Sequence, residues 1–175
     1  MKNSYKRKSV WITGGGSGLG KAMALEYARL GALVAVSGRR ADRLEETVRD
    51  IESQGGSGLA VPCDVSQEQQ IATTIDQVIN GFGSLDIAVA NAAFPLQGEI
   101  ETLGADDWRH QFEVNVIGAG MTAKHALPEL RKTKGRLALV GSAASLMTVP
   151  MFGAYCASKY ALRAIGQTLA MELHG

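Results

Sequence analysis

The sequence predicts an α/β fold in which a doubly wound parallel sheet is covered by helices on both faces, in a single domain over residues 1–175. Short segments rich in β-branched residues alternate with longer segments whose apolar residues recur at helical spacing. The 175 residues are 46% apolar and include 21 glycines, enough for a sizeable core with many tight turns. Such alternation joins parallel strands by right-handed crossovers.

Five strands and five helices follow from this pattern. The strands are predicted at residues 9–13, 33–37, 58–63, 85–90 and 136–140. Ser66 and Gln69 have the spacing of a capping box at the start of the third helix. The fourth helix is expected to be long and to carry Trp108, Phe112, Val116 and Ala119, and the last to run from about residue 152 to the end of the chain.

Composition excludes several classes of partner. Eighteen basic and 17 acidic residues give a net charge of +1, which does not indicate a nucleic-acid partner. No apolar run is long enough to span a membrane, and the basic start of the chain, with Lys2 among its residues, is interpreted as a solvated tail. Cys63 and Cys156 have neither metal-ligand nor disulfide-framework spacing, and the histidines, His174 among them, are isolated. We therefore expect a cytoplasmic protein without a metal site.

The glycine-rich segment 13–20, TGGGSGLG, follows the first predicted strand and opens the first helix. Glycines permit a tight turn, and the backbone amides at a helix start attract a pyrophosphate. The alternative is an ordinary glycine-rich turn, but the strand–loop–helix context favours a dinucleotide site. The loop residues expected to contact the cofactor are Gly14, Gly16, Ser17, Gly18, Leu19 and Gly20.

The end of the second strand bears on the choice of dinucleotide. A carboxylate there binds a free ribose 2′-hydroxyl and repels a 2′-phosphate, but this chain has Arg39 and Arg40 instead. Two guanidinium groups match a phosphate, so NADP(H) is the preferred cofactor and NAD(H) the second possibility. The alternative is that both arginines merely begin a solvated helix.

Tyr155 and Lys159 are four residues apart and share one face of the last helix. A tyrosine hydroxyl is ordinarily a poor acid–base group at neutral pH, and a nearby ammonium group stabilises its phenolate. The pair alone is not specific. Ser142 follows the fifth strand at the expected ligand edge, whereas Asn115 lies within the fourth helix and has the simpler interpretation of a packed or surface amide.

Together these motifs resemble the short-chain dehydrogenases/reductases along essentially the whole chain. The resemblance is carried by the T-G-x-x-x-G-x-G loop, Asp64-Val65 after the third strand, Asn91-Ala92-Ala93 after the fourth, Asn115, Ser142 and Tyr155-x-x-x-Lys159. It implies a Rossmann-type fold and an NADP(H)-dependent oxidoreductase that interconverts an alcohol and a carbonyl by hydride transfer. It also implies a homodimer or homotetramer formed through the two long helices.

The resemblance implies a role for each site residue. Tyr155 would be the general acid in reduction and the base in oxidation, and Lys159 would support it and bind the nicotinamide ribose. Ser142 would orient the substrate, and Asn115 would hold a water that links Lys159 to solvent. The residues implied to line the cofactor elsewhere are Asp64 at the adenine, Val65, Asn91 and Ala92.

The chain departs from the family pattern at two places. Ala90 and Ala93 stand where the family usually has asparagine and glycine, and neither change removes a catalytic group. Family members also continue beyond this length with further strands and a substrate loop. This leaves two alternatives to the enzyme: a dinucleotide-binding module or inactive remnant without turnover, and a scaffold that pairs with another subunit. The substrate itself is not predicted.

Overall fold

A computed structural model describes residues 5–173 of the chain. Strands and helices alternate through the first half, and three helical segments lie between the last two strands. The elements are β1 (Ser9–Thr13), α1 (Gly18–Arg29), β2 (Leu33–Gly38), α2 (Ala41–Ser53), β3 (Ser57–Pro62), α3 (Glu68–Phe82), β4 (Ile87–Ala90), α4 (Ala105–Phe112), a π-helical turn (Glu113–Ile117), α5 (Gly118–Thr133), β5 (Arg136–Leu139), a 3-10 turn (Ala143–Ser145) and α6 (Gly153–Glu172).

The five strands form one parallel sheet in the order β3-β2-β1-β4-β5. β1 lies between β2 and β4, with Val10 beside Val34 on one side and Ile87 on the other. The chain runs outward from β1 through β2 to β3 and then crosses back to β4 on the other side of β1. The strand order therefore reverses between β1 and β4, and this position is the switch point of the sheet. In open parallel sheets a ligand binds beyond the carboxyl ends of the strands at this point. The predicted fold class is confirmed.

The central strands are apolar on both faces because each face is covered by helices. Val10 and Ile12 of β1 pack in one cluster with residues of α1 and α2. Trp11, between them in sequence, points to the opposite face and packs with residues of α3 and α5. Successive strand residues point to opposite faces, so an uninterrupted apolar run indicates a strand buried on both sides.

The predicted capping box at the start of α3 is wrong. α3 begins at Glu68, and its N-cap residue Gln67 makes no side-chain capping bond. Ser66 instead donates from both its backbone N–H and its hydroxyl to Oδ1 of Asp64, at 3.0 and 2.8 Å. The Asp64 carboxylate is a stronger acceptor than the neutral amide of Gln69, so it takes the Ser66 N–H that the box would have given to that amide.

The long fourth helix is present as one continuous helical run from Ala105 to Thr133. It contains a π-helical turn at Glu113–Ile117, which was not predicted and which lies between α4 and α5 and includes Asn115. Such single π turns insert an extra residue and are frequent at functional sites. α6 ends at Glu172, and the predictions for Lys2, His174 and the last residues lie outside the described residues. No helix among residues 5–173 has the length and apolar character required to cross a membrane.

Candidate functional site

The glycine loop joins the carboxyl end of β1 to the first turn of α1. Gly14 and Gly18 have φ of +68° and +53°, a backbone region that strains residues with side chains. Ser17 is the N-cap of α1, and its side chain makes no capping bond. The first-turn amides and the Ser17 hydroxyl are therefore available to an anion at this helix start.

The loop is held against the end of β4. Asn91 donates from Nδ2 to the backbone oxygens of Thr13, at 2.8 Å, and Gly14, at 3.4 Å. Thr13 Oγ1 accepts hydrogen bonds from the backbone N–H groups of Asn91 and Ala92, each at 3.0 Å. A methyl group at Gly20 would overlap the Gly14 carbonyl oxygen, so α1 approaches this turn as closely as only a glycine permits. The switch point is thus a packed structure rather than an ordinary exposed turn.

A cavity of about 670 Å³ opens beside this loop. Its walls come from the carboxyl ends of β1, β2, β3 and β4, as expected for a ligand site in such a sheet. It brings together every residue that the sequence predicts for the cofactor apart from two: Gly14, Gly16, Ser17, Gly18, Leu19, Gly20, Arg39, Arg40, Asp64, Val65, Asn91 and Ala92. The two exceptions, Tyr155 and Lys159, do not line this cavity.

Seven further residues of the cavity wall were not among the predicted cofactor contacts, although Ala93 belongs to the motif after β4. The rule that ligands lie beyond strand ends would have identified those that directly follow a strand or stand near its end, had it been applied to every strand. Arg43 carries a different signal, because it lies one helical turn after Arg39. The missed residues are Gly38, Arg43, Leu44, Cys63, Ala93, Phe94 and Val114.

The β2 end of the cavity is strongly basic. Arg39 and Arg40 are exposed and form no ion pair with any described residue, and Arg43 lies on the same rim. Asp64, on the β3 side, is the one acidic residue in the wall. Its Oδ1 is occupied by Ser66, and its backbone N–H donates to Gln70 Oε1 at 2.8 Å. Arg39 and Arg40 therefore give this end of the cavity an excess of positive charge, whereas Arg43 is paired with Glu46.

Ser142 lies after β5 and begins the 3-10 turn Ala143–Ser145. Its Oγ accepts the Ala144 N–H at 3.1 Å, and its own N–H donates to Ser145 Oγ at 3.2 Å. This reciprocal cap fixes the side chain while leaving its hydroxyl hydrogen available for donation. Ser142 lines a second cavity of about 290 Å³, together with Leu146 and Leu162.

Tyr155 and Lys159 lie in the first half of α6. Lys159 is only 3% exposed, and its Nζ donates to the Val140 carbonyl at 3.0 Å and lies 5.9 Å from the centre of the Tyr155 ring. Burial lowers the pKa of the Lys159 ammonium group. One of its three N–H donors is used by Val140, so the ammonium retains donors at the carboxyl end of β5.

Asn115 is 1% exposed, and its side chain is committed to the protein. Its Nδ2 donates to the Phe94 carbonyl at 3.0 Å and to Ser158 Oγ at 3.1 Å, and its Oδ1 accepts the Phe94 N–H at 3.1 Å. Ser158 in turn donates to the Tyr155 carbonyl at 2.7 Å. Asn115 therefore links the cavity wall at Phe94 to the turn of α6 that carries Tyr155.

Gln111 reinforces this link and was not predicted. It is fully buried, accepts the Leu96 N–H at 2.8 Å and donates to the Phe94 carbonyl at 2.9 Å. The sequence gives no signal for this residue, because apolar periodicity does not show that the position one helical turn before Asn115 is buried. Two amide side chains thus fix the segment that follows β4.

The parallel sheet, the glycine loop and the cavity at the switch point define the class of the protein, a Rossmann-type domain. A family model described as "short chain dehydrogenase" matches residues 8–175. The chain belongs to this family.

Similar proteins agree with this assignment. An 11-beta-hydroxysteroid dehydrogenase-like protein 2 of Arabidopsis thaliana is 37% identical over 169 residues, which are 95% of this chain and 54% of the relative. An uncharacterized oxidoreductase of Thermotoga maritima is 34% identical, over 97% of this chain and 67% of its own length. The chain spans about half the length of the first plant relatives it matches.

Two solved structures have nearly the same fold. The alcohol dehydrogenase of the archaeon Thermococcus sibiricus, complexed with 5-hydroxy-NADP, has a TM-score of 0.91 and 32% identity, over 94% of this chain and 71% of that protein. A short chain dehydrogenase/reductase of Burkholderia phymatum in complex with NAD has a TM-score of 0.94 and 29% identity, over 97% of this chain and 61% of that protein.

Proposed function

We propose that this chain carries the cofactor site and proton-transfer residues of an NADP(H)-dependent oxidoreductase that interconverts a small-molecule alcohol and the corresponding carbonyl. The observation that carries the proposal is the buried Lys159 ammonium beside Tyr155, at the carboxyl end of β5. A buried cation without a carboxylate partner among residues 5–173 is costly to fold, so a role in chemistry accounts for its presence better than packing does.

The cavity residues fit a nicotinamide dinucleotide. The positive φ of Gly14 and Gly18 and the uncapped start of α1 provide a turn whose amides face an anion, as a pyrophosphate requires. Arg39 and Arg40 at the β2 end match a ribose 2′-phosphate, which favours NADP(H) over NAD(H). Related structures with 5-hydroxy-NADP and with NAD support a cofactor of this class in either form.

When bound, the dinucleotide supplies or accepts the hydride, and the protein supplies position and proton chemistry. In the reducing direction the Tyr155 hydroxyl donates its proton to the carbonyl oxygen, and in the oxidising direction it takes the proton from the alcohol. The Lys159 ammonium stabilises the phenolate that forms and binds the nicotinamide ribose with its remaining donors. The Ser142 hydroxyl, fixed by its contact with Ala144, donates to the same substrate oxygen.

Asn115 is assigned to positioning and to the proton path. Its Nδ2 donors are used by Phe94 and Ser158, so the side chain offers a water only a spare lone pair on Oδ1. We propose that the water linking Lys159 to solvent donates a hydrogen bond to that lone pair or to a backbone carbonyl in the π turn. The amide itself holds the Tyr155 turn of α6 in register with Phe94.

Turnover of a carbonyl panel with NADPH tests this function, with Tyr155→Phe as the variant and Tyr160→Phe as its control. Tyr160 lies on the same helix and is 40% exposed, so Tyr160→Phe removes a tyrosine hydroxyl away from the site. We expect Tyr155→Phe to reduce kcat by about 10²-fold or more and Tyr160→Phe to leave it unchanged. Cofactor binding without turnover of any carbonyl by the wild-type chain would favour the alternative, a dinucleotide-binding module.

Oligomeric state and location are further parts of the proposal. The apolar side chain of Met171 on α6 is 71% exposed, which supports association of the two long helices α5 and α6 with a second copy as a homodimer or homotetramer. Sedimentation of the chain tests this, and a monomer at micromolar concentration would contradict it. A cytoplasmic location is proposed because both cysteines are free and buried.

A further inference from the structure

The rim of the dinucleotide cavity carries a third arginine whose guanidinium is already engaged. Arg43 lines the cavity with Arg39 and Arg40, and its Nη1 donates to Glu46 Oε2 at 3.0 Å. Its Nε lies 3.8 Å from Asp42 Oδ2. Arg43 is therefore paired with acids on its own helix, whereas Arg39 and Arg40 have no ion pair within residues 5–173.

Glu46 is shared between Arg43 and a second cation. Its Oε1 accepts from Lys21 Nζ at 2.8 Å, and Lys21 also contacts Asp50 Oδ2 at 2.7 Å. Hydrogen bonds from Lys21 and then Arg43 lower the pKa of Glu46. Three charged groups of α2 and Lys21 of α1 thus form a series of contacts that ends at the cavity rim: Asp50, Lys21, Glu46 and Arg43.

We propose that Arg43 is a third guanidinium for the 2′-phosphate of NADP(H) and that Glu46 opposes this contact by holding Arg43 on α2. The inference rests on the proposed cofactor preference. Arg43 lies against the glycine loop, since a methyl at Gly16 would come within 3.1 Å of Arg43 Cβ. Its side chain therefore starts between the loop and the β2 end, where the adenosine ribose belongs in this fold.

Lys21 allows Arg43 to leave Glu46 without leaving the Glu46 carboxylate unpaired. When the guanidinium turns to the phosphate, Glu46 retains Lys21, and Lys21 retains Asp50. The side chains of Arg43 and Glu46 are 51% and 42% exposed, so solvent weakens their attraction and the restraint is modest. Glu46 thereby limits affinity for NADP(H) without affecting NAD(H), which carries no 2′-phosphate.

The test is titration of the chain with 2′,5′-ADP and 5′-AMP, which differ only in the 2′-phosphate, by calorimetry or by displacement of NADPH fluorescence. We expect Glu46→Gln to tighten 2′,5′-ADP binding about two- to fivefold and Arg43→Gln to weaken it roughly tenfold, with 5′-AMP binding unchanged in both. In the double variant the gain from Glu46→Gln should disappear, because its effect depends on Arg43.

Glu45→Gln is the matched control. Glu45 is the adjacent residue on α2, exposed and paired with Arg49 at 3.9 Å, so its replacement removes the same charge away from Arg43. An equal gain in Glu45→Gln, or a gain that persists in the double variant, would overturn the inference in favour of a general charge effect. Binding of 2′,5′-ADP that does not respond to Arg43→Gln would also overturn it. Failure of the wild-type chain to bind either nucleotide would instead refute the proposed cofactor site.

Discussion

Replacement of Gly20 by alanine is the sharpest test of how closely α1 approaches the glycine loop. The added methyl group would overlap the Gly14 carbonyl oxygen and come within 2.7 Å of Asn91 Nδ2. Neither group can yield easily, because Gly14 has a φ of +68° and Asn91 is bonded to the backbone of Thr13 at 2.8 Å. The helix start itself must therefore move.

The expected magnitude follows from two opposing terms. Overpacking of a rigid site costs about 1–3 kcal/mol, occasionally more. Alanine in a helix gains about 1 kcal/mol over glycine. Because the clash here is with backbone, we expect the upper end of the first range and a net loss of about 2 kcal/mol, which lowers Tm by roughly 4–8 °C for a chain of this size.

Gly120→Ala is the matched control. Gly120 is also a helical glycine, but a methyl group there meets nothing within 4 Å. Its replacement should raise stability by about 0.5–1 kcal/mol through helix propensity alone. Urea denaturation and thermal melting of both variants measure the difference. Equal stability of Gly20→Ala and Gly120→Ala would refute the described packing of α1 on the loop.

Three further predictions concern buried polar groups. Ser37→Ala removes the acceptor of the fully buried Trp11 Nε1, 2.9 Å away, and should cost about 1–3 kcal/mol in urea denaturation, less in a Trp11→Phe background. Asn115→Ala should cost about 2–4 kcal/mol and also lower kcat, whereas unchanged kcat in a folded variant would contradict its positioning role. Burial raises the pKa of Asp86, but its bonds to Lys8 and Ser9 outweigh this and leave the pKa below its ordinary 3.8. Asp86 therefore stabilises the fold above about pH 3.8, and this stabilisation is lost as the pH falls through the lower pKa of the folded state. In thermal melts across pH, Asp86→Asn should weaken the fall of Tm at acid pH.

The fold was predictable because its signals are local and repeated. Uninterrupted apolar runs such as that around Val34 identify strands buried on both faces, and residues 13–20 combine a strand end, glycines and a helix start. Most of the cavity wall follows from the same rule, since strand ends converge at one edge of a parallel sheet.

The remaining features depend on contacts between distant segments. The capping box at Ser66 failed because Asp64 accepts the Ser66 N–H that the box requires and also accepts the Ser66 hydroxyl. The π turn around Asn115 and the burial of Gln111 are fixed by the backbone of the segment after β4, which no pattern within their own helix reveals. The position of Arg43 on the cavity rim likewise depends on how α2 packs against the glycine loop.

The central claim is that the switch-point cavity binds NADP(H), with Arg39 at its 2′-phosphate. Fluorescence titration of the chain with NADPH and NADH, beside Arg39→Ala and the remote exposed control Arg131→Ala, tests it most directly. We expect saturable NADPH binding that Arg39→Ala weakens roughly tenfold, with little effect on NADH binding and no effect of Arg131→Ala. Absence of saturable binding of either nucleotide, or NADPH binding that does not respond to Arg39→Ala, would contradict it.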